Sequence, residues 1–175
     1  IIAITSDKGL LGGLNHRVMM AAFGYMEGPK NQLVVVGQEG HKFVQGMNVF
    51  FKAFTAGEDD QRYLRSLELR DYVIDQVIQG NMGPVKIIYP YAQSIQVQKV
   101  MEMDLLPCTK WPREDGRSWT EAVWGEDVLL ESYPSHLVEY LVYLLMVQRI
   151  FEILQFARLA EYAARTTHLE ESSDK

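Results

Sequence analysis

Apolar positions open the chain at Ile1-Ile2-Ala3-Ile4 and yield at Thr5 and Ser6-Asp7, a run of the length a buried strand needs. A free N-terminus is ordinarily polar and frayed, so a chain that begins inside a strand reads as a fragment with a segment missing upstream. Leu10 to Glu27 then carries a helical pattern, closed by Gly28-Pro29. Leu33-Val34-Val35-Val36 is a continuous apolar run, the mark of a strand covered on both faces. Gly37 ends it, and a short helix is expected over Glu39 to Gln45, stopped by Gly46. Val49-Phe50-Phe51 reads as a third strand.

Glu58-Asp59-Asp60 supplies acids suited to the cap and first turn of the next helix. Leu64, Leu67, Ile74 and Ile78 mark its expected apolar face, and Gly80 its C-terminal cap. Val85 to Tyr89 is a fourth strand. Ile95, Val97, Met101 and Met103 then alternate with Gln96, Gln98 and Glu102, the period of a fifth strand with one wetter face. The link between these two strands is too short for a crossover helix, so they should pair antiparallel. Residues Pro107 to Glu126 hold Pro, Gly, charges and the tryptophans Trp111, Trp119 and Trp124 without a period. They read as a long surface connection. From about Ser135 the pattern is helical, with no Gly or Pro to the end of the chain.

The expected fold is α/β: a mostly parallel five-stranded sheet with an antiparallel edge hairpin, covering helices and a long protruding C-terminal helix. Residues 1–133 form the α/β part and 134–175 the helix. That helix is apolar nearly all round from Leu137 to Leu154, which implies burial on more than one side. Glu139, Gln148, Arg149 and Glu152 interrupt it too often for a membrane span. Beyond Phe156 it turns Ala-rich at Ala157, Ala160, Ala163 and Ala164, small residues that let a partner helix approach closely.

Composition narrows the function. Of 175 residues, 47% are hydrophobic and 23% charged, so the chain can bury a core. A net charge of −6 disfavours nucleic acid, whose phosphates select clustered Lys and Arg. One cysteine, Cys108, permits no internal disulfide. The isolated histidines His16, His41, His136 and His168 lack neighbours at metal-ligand spacing, so neither a metal nor a cofactor is expected. Acids occur as adjacent pairs, which do not converge on one substrate atom. No catalytic residue is assigned.

One glycine-rich segment stands out: Ser6-Asp7-Lys8-Gly9-Leu10-Leu11-Gly12-Gly13-Leu14-Asn15. Its place, after a first strand and before a helix, is that of a dinucleotide fingerprint, but its spacing is not. Tight turning and close helix–strand packing explain the glycines. The alternative is a doubly wound domain that binds a nucleotide or anion at Gly9–Gly13.

This segment resembles S-D-R-G-L-C-G-G-L-N of the γ subunit of F-type ATP synthases, with Lys8 for Arg and Leu11 for Cys. Val36-Gly37-Gln38-Glu39-Gly40-His41-Lys42-Phe43 is similar to that family's I-G-x-K-G-x-x-F, with Glu39 for Lys. Glu161-Tyr162-Ala163-Ala164-Arg165 is similar to its E-x-A-A-R. After that the family reads M-x-A-M-x-x-A-x-D-N, and this chain departs from it at Thr166 to Lys175.

The resemblance implies a non-catalytic rotor subunit, the central stalk, carrying torque between a membrane c-ring and the α and β subunits of the catalytic head, with ε as a further partner. It assigns Asp7, Gly9, Gly12, Gly13 and Asn15 to the family motif, and Glu161, Ala164 and Arg165 to the shaft helix. Val128, Leu130 and Glu131 match the segment that meets the c-ring. It places the chain in a peripheral complex on the cytoplasmic side of a bacterial inner membrane, or the equivalent organelle face. It also implies a preceding N-terminal helix that pairs with the C-terminal one.

Overall fold

The computed structural model describes residues 1–9, 11–26, 31–108 and 132–173, apart from the side chains of residues 171 and 173. Its elements are β1 (Ile2–Ile4), α1 (Leu14–Phe23), β2 (Leu33–Val36), α2 (Gln38–Val44), β3 (Phe51–Phe54), α3 (Arg62–Ile78), β4 (Val85–Ala92), β5 (Gln98–Leu106) and α4 (Pro134–Ser173). They build the expected α/β fold. The strands lie in one sheet in the order β3-β2-β1-β4-β5. β1, β2, β3 and β4 run parallel, and β4 and β5 form the antiparallel hairpin.

Period two sorts the sheet into two faces. Ile2, Ile4, Val34, Val36 and Ile87 point to one side, where they pack with Leu69 and Val73 of α3 and Met146, Ile150, Ile153 and Leu154 of α4. Ala3, Leu33, Val35 and Ile88 point to the other, against Val18, Met19 and Ala22 of α1 and Val44 of α2. All of β2 is buried, as its unbroken apolar run requires. The result is three layers, with α1 and α2 on one face and α3 and α4 on the other.

Four local expectations are corrected. α1 starts only at Leu14, because Gly12 and Gly13 both take positive φ (55° and 81°) and hold the chain out of the helix. β3 lies downstream of the expected Val49-Phe50-Phe51, and Phe50 is solvent-exposed. The acids before α3 do not cap it: its N-cap is Gln61, with no side-chain bond. The buried face of α3 is Arg62, Ser66, Leu69 and Val73, while Leu64 and Ile78 are exposed.

The connection carrying Trp111, Trp119 and Trp124, the turn at Gly28-Pro29, and Val128, Leu130 and Glu131 lie outside the described residues. Among the described residues no helix is long and apolar enough to cross a membrane.

Candidate functional site

The sheet reverses its winding between β1 and β4, and in open α/β sheets the crevice beyond these strand ends is where ligands bind. Here three consecutive residues after β1 turn sideways and satisfy the first turn of α2. Thr5 Oγ1 accepts the N–H of Gly40 at 3.0 Å, Ser6 O that of Glu39 at 3.0 Å, and Asp7 Oδ1 that of Gln38 at 3.0 Å. A helix N-terminus that could attract an anion is thus answered by the chain's own oxygens. Thr5 Oγ1 also donates to Val36 O at 2.7 Å.

The approach is close enough to require glycine. A Cβ on Gly37, at φ 101°, would meet Thr5 O at 2.2 Å, and one on Gly40 would meet Thr5 Oγ1 at 2.5 Å. At Gly12 and Gly13 nothing lies within 4 Å of an added Cβ. Those two glycines therefore serve the turn through their positive φ. The close helix–strand packing expected of them belongs to Gly37 and Gly40.

Asp7 does more than cap α2. Its carboxylate accepts the N–H groups of Ala56 (3.1 Å) and Gly57 (2.9 Å) in the loop between β3 and α3. Asn15 closes the same turn: its Oδ1 accepts the N–H of Ser6 at 3.1 Å, and its Nδ2 donates to Ser6 Oγ at 2.8 Å. Asp7, Gly12, Gly13 and Asn15 of the motif thus act together as a folding device at the end of β1. Gly9 lies beside the Glu39 carboxylate, which is ion-paired with Lys42 at 2.7 Å.

Over this turn lies α4. Leu11 and Leu14 form a buried cluster with Ala160 and Ala164, joined by Ala92 from the end of β4. The strand-end crevice is occupied there by the chain's own apolar side chains. Ala160 and Ala164, two of the small residues expected to permit close helix approach, make this contact with the chain's own turn. Ala157 is likewise buried on the sheet-side core.

Glu161 is buried and accepts hydrogen bonds from Arg158 and Arg165, each at 2.8 Å. Ala164 therefore meets the glycine turn, while Glu161 lines a cleft beside it and holds Arg165. The cleft, of about 770 Å³, is also lined by Asp7, Lys8, Gln38, Arg62 and Arg158. Among the described residues no group of three His, Cys, Asp or Glu side chains could hold a metal ion.

The opposite face of α4 is apolar and open. Val138, Leu141, Leu145 and Leu159 are all exposed, on the side away from Met146, Ile150 and Leu154. Sequence reasoning passed over Thr5, Arg62 and Arg158 as working parts, and gave Asp59 a capping role in place of its bonds to Arg62, Arg158 and Tyr162. Only Gly37 and Gly40 left a signal, in their spacing within the second motif.

A model of the ATP synthase family matches residues 1–175. The chain belongs to the ATP synthase family. Curated relatives within it include the ATP synthase gamma chains of Pelotomaculum thermopropionicum, 28% identical over 98% of this chain and 60% of the relative, and of Clostridium acetobutylicum, 26% identical over 98% and 59%. The chain thus spans about three-fifths of the length of the gamma chains it matches.

Solved structures of similar fold include the central stalk/c-ring of the Tetrahymena thermophila mitochondrial ATP synthase. That structure has a TM-score of 0.76 at 18% identity, covering 98% of this chain and 75% of that one. The rotor of the Euglena gracilis mitochondrial ATP synthase gives a TM-score of 0.67 at 19% identity, over 98% and 65%. At these identities the solved structures show the shared fold, while the family match and the gamma-chain relatives support the rotor reading and not the nucleotide- or anion-binding alternative.

Proposed function

We propose that this chain is the foot of a rotary shaft: part of a non-catalytic central-stalk subunit that carries torque between a membrane ring and the catalytic head of an F-type ATP synthase. The observation that carries the reading is α4. One face of it is fixed on the sheet by Met146, Ile150, Ile153 and Leu154, and the other leaves large apolar side chains exposed along the same helix. A helix of 40 residues, about 60 Å long, exceeds what a domain of this size needs for its own core. Its outer face suits a second helix packed alongside it, as the family resemblance implies.

On this reading the α and β subunits hold the chemistry, and this chain supplies stiffness and gripping surfaces. A close-packed three-layer core suits that task because it transmits strain with little compression. The proposed partners are α, β, ε and the c-ring. Val128, Leu130 and Glu131 are proposed as the c-ring contact by their match to the family segment. The proposed setting is peripheral, on the cytoplasmic face of a bacterial inner membrane or its organelle equivalent.

Affinity purification of the full-length subunit from its native membranes tests this. Recovery with ε and c subunits is the expected outcome. Recovery with neither, from membranes that retain ATP synthase activity, would defeat the proposal.

A further inference from the structure

The loop between β3 and α3 is gripped at both ends. At its start, Asp7 accepts the N–H groups of Ala56 and Gly57. Two residues further on, the carboxylate of Asp59 receives three donors. Arg62 reaches it from the first turn of α3. Arg158 Nε and the Tyr162 hydroxyl reach it from α4, each at 3.2 Å. The Arg62 side chain is only 7% exposed, and its Nη1 donates to Gln155 Oε1 at 2.5 Å. The Arg158 guanidinium carbon stands 4.5 Å from the centre of the Tyr162 ring. Gln155, Arg158 and Tyr162 follow one another at helical spacing, so a single stripe of α4 faces this loop.

Besides the Phe156–Tyr91 ring contact and the Thr167 hydroxyl donating to Ile95 O at 3.0 Å, two kinds of contact hold α4 where it crosses the end of the sheet. Methyl groups of Ala160 and Ala164 against Leu11 and Leu14 give non-directional apolar packing. Short alanine side chains interlock little, so this contact alone resists rotation of the helix weakly. The bonds to Asp59 are charge-assisted and directional, the type that fixes orientation. Asp59 is 60% exposed, where ion pairs add little net stability. Three donors on one carboxylate form a network, however, which adds both directionality and a local stabilisation of α4 that a single exposed pair lacks.

We propose that the β3–α3 loop is a brace that sets the rotational orientation of α4 on the sheet, with Asp59 as its grip on the helix and Asp7 as its anchor behind. The inference concerns how the chain holds its own helix and stands apart from the rotor reading. Among the described residues Asp7 bonds no residue of α4; its carboxylate is taken by Gln38, Ala56 and Gly57. An effect of Asp7 on α4 can travel through the loop or through the glycine turn, whose Leu11 and Leu14 pack on Ala160 and Ala164, so Asp59→Asn and Tyr162→Phe isolate the loop route.

Hydrogen–deuterium exchange on the full-length chain tests the brace, with Asp59→Asn, Tyr162→Phe and Asp7→Asn as variants and Glu58→Gln as the neighbouring control. Asp59→Asn and Asp7→Asn are each expected to speed exchange of the backbone amides of residues 158–166 by about tenfold, with Tyr162→Phe intermediate and Glu58→Gln unchanged. Exchange in α4 within about twofold of the unmodified chain for Asp59→Asn would overturn the proposal. So would an Asp7→Asn effect confined to the loops. If Asp7→Asn fails to fold, Asp59→Asn and Tyr162→Phe decide alone, since neither touches the sheet core.

Discussion

The carboxylate of Asp7 caps a helix that begins 31 residues later: its Oδ1 accepts the backbone N–H of Gln38 at 3.0 Å. With Ala56 and Gly57 on the same side chain, one residue after β1 fixes the loops that follow β2 and β3. The C-terminal ends of three parallel strands are thereby tied together through one carboxylate.

Replacing Asp7 should show this directly. Asp7→Ala leaves three backbone donors without their acceptor and is expected to cost on the order of 3 kcal/mol of unfolding free energy. Asp7→Asn should cost less, because its remaining carbonyl still accepts. Denaturant unfolding of the full-length chain measures both.

The glycines of the two motifs should respond differently to alanine. Gly37→Ala drives a Cβ to 2.2 Å from Thr5 O at a φ of 101°, so a loss above about 4 kcal/mol is expected. Gly12→Ala meets open space at φ 55° and should cost only about 1 kcal/mol of left-handed strain. Thermal melts that rank the two equally would contradict the assignment of close packing to the second motif.

Ala160 is fully buried where α4 crosses Leu11 and Leu14. Ala160→Leu should overpack this crossing and cost about 1–3 kcal/mol. Leu159→Ala, one position along and exposed, should leave the fold of this part nearly unchanged. A loss from Leu159→Ala as large as that from Ala160→Leu would mean the two faces of α4 are misassigned.

Burial pushes the Cys108 thiol above its ordinary pKa. Its Sγ lies 3.8 Å from Leu105 O. The thiolate is the reactive form, so alkylation should be slow at neutral pH and rise with a midpoint above that of a free cysteine. The pH dependence of iodoacetamide labelling, native against unfolded, checks the sign. A native midpoint below the unfolded one would contradict it.

Much of this architecture was legible in the residues, for physical reasons that differ by element. The unbroken Leu33-Val34-Val35-Val36 run announced a strand covered on both faces, and it is buried throughout. The few residues between Ala92 and Gln98 could not hold a crossover helix, so the hairpin followed from chain length. α3 was harder. Periodicity marks apolar positions, but its buried face includes Arg62 and Ser66, chosen by partners far along the chain: Arg62 bonds Gln155, 93 residues away.

The acids before α3 misled for a related reason. Asp59 has the chemistry of a cap, yet Arg62, Arg158 and Tyr162 claim it. Local propensity cannot see such tertiary competitors. In the glycine motif the residue types were legible as a turn, while the site of close packing was not. That depended on Thr5 standing opposite Gly37 and Gly40 across two strands.

Observation of rotation tests the rotor reading most directly. With the catalytic head of the full-length complex fixed to a surface and a probe attached to the β4–β5 hairpin of this chain, ATP should drive continuous rotation of the probe in one direction. Cross-linking α4 to a head subunit should stop both rotation and ATP turnover. A complex that hydrolyses ATP at full rate while this chain stays fixed to the head would contradict the account.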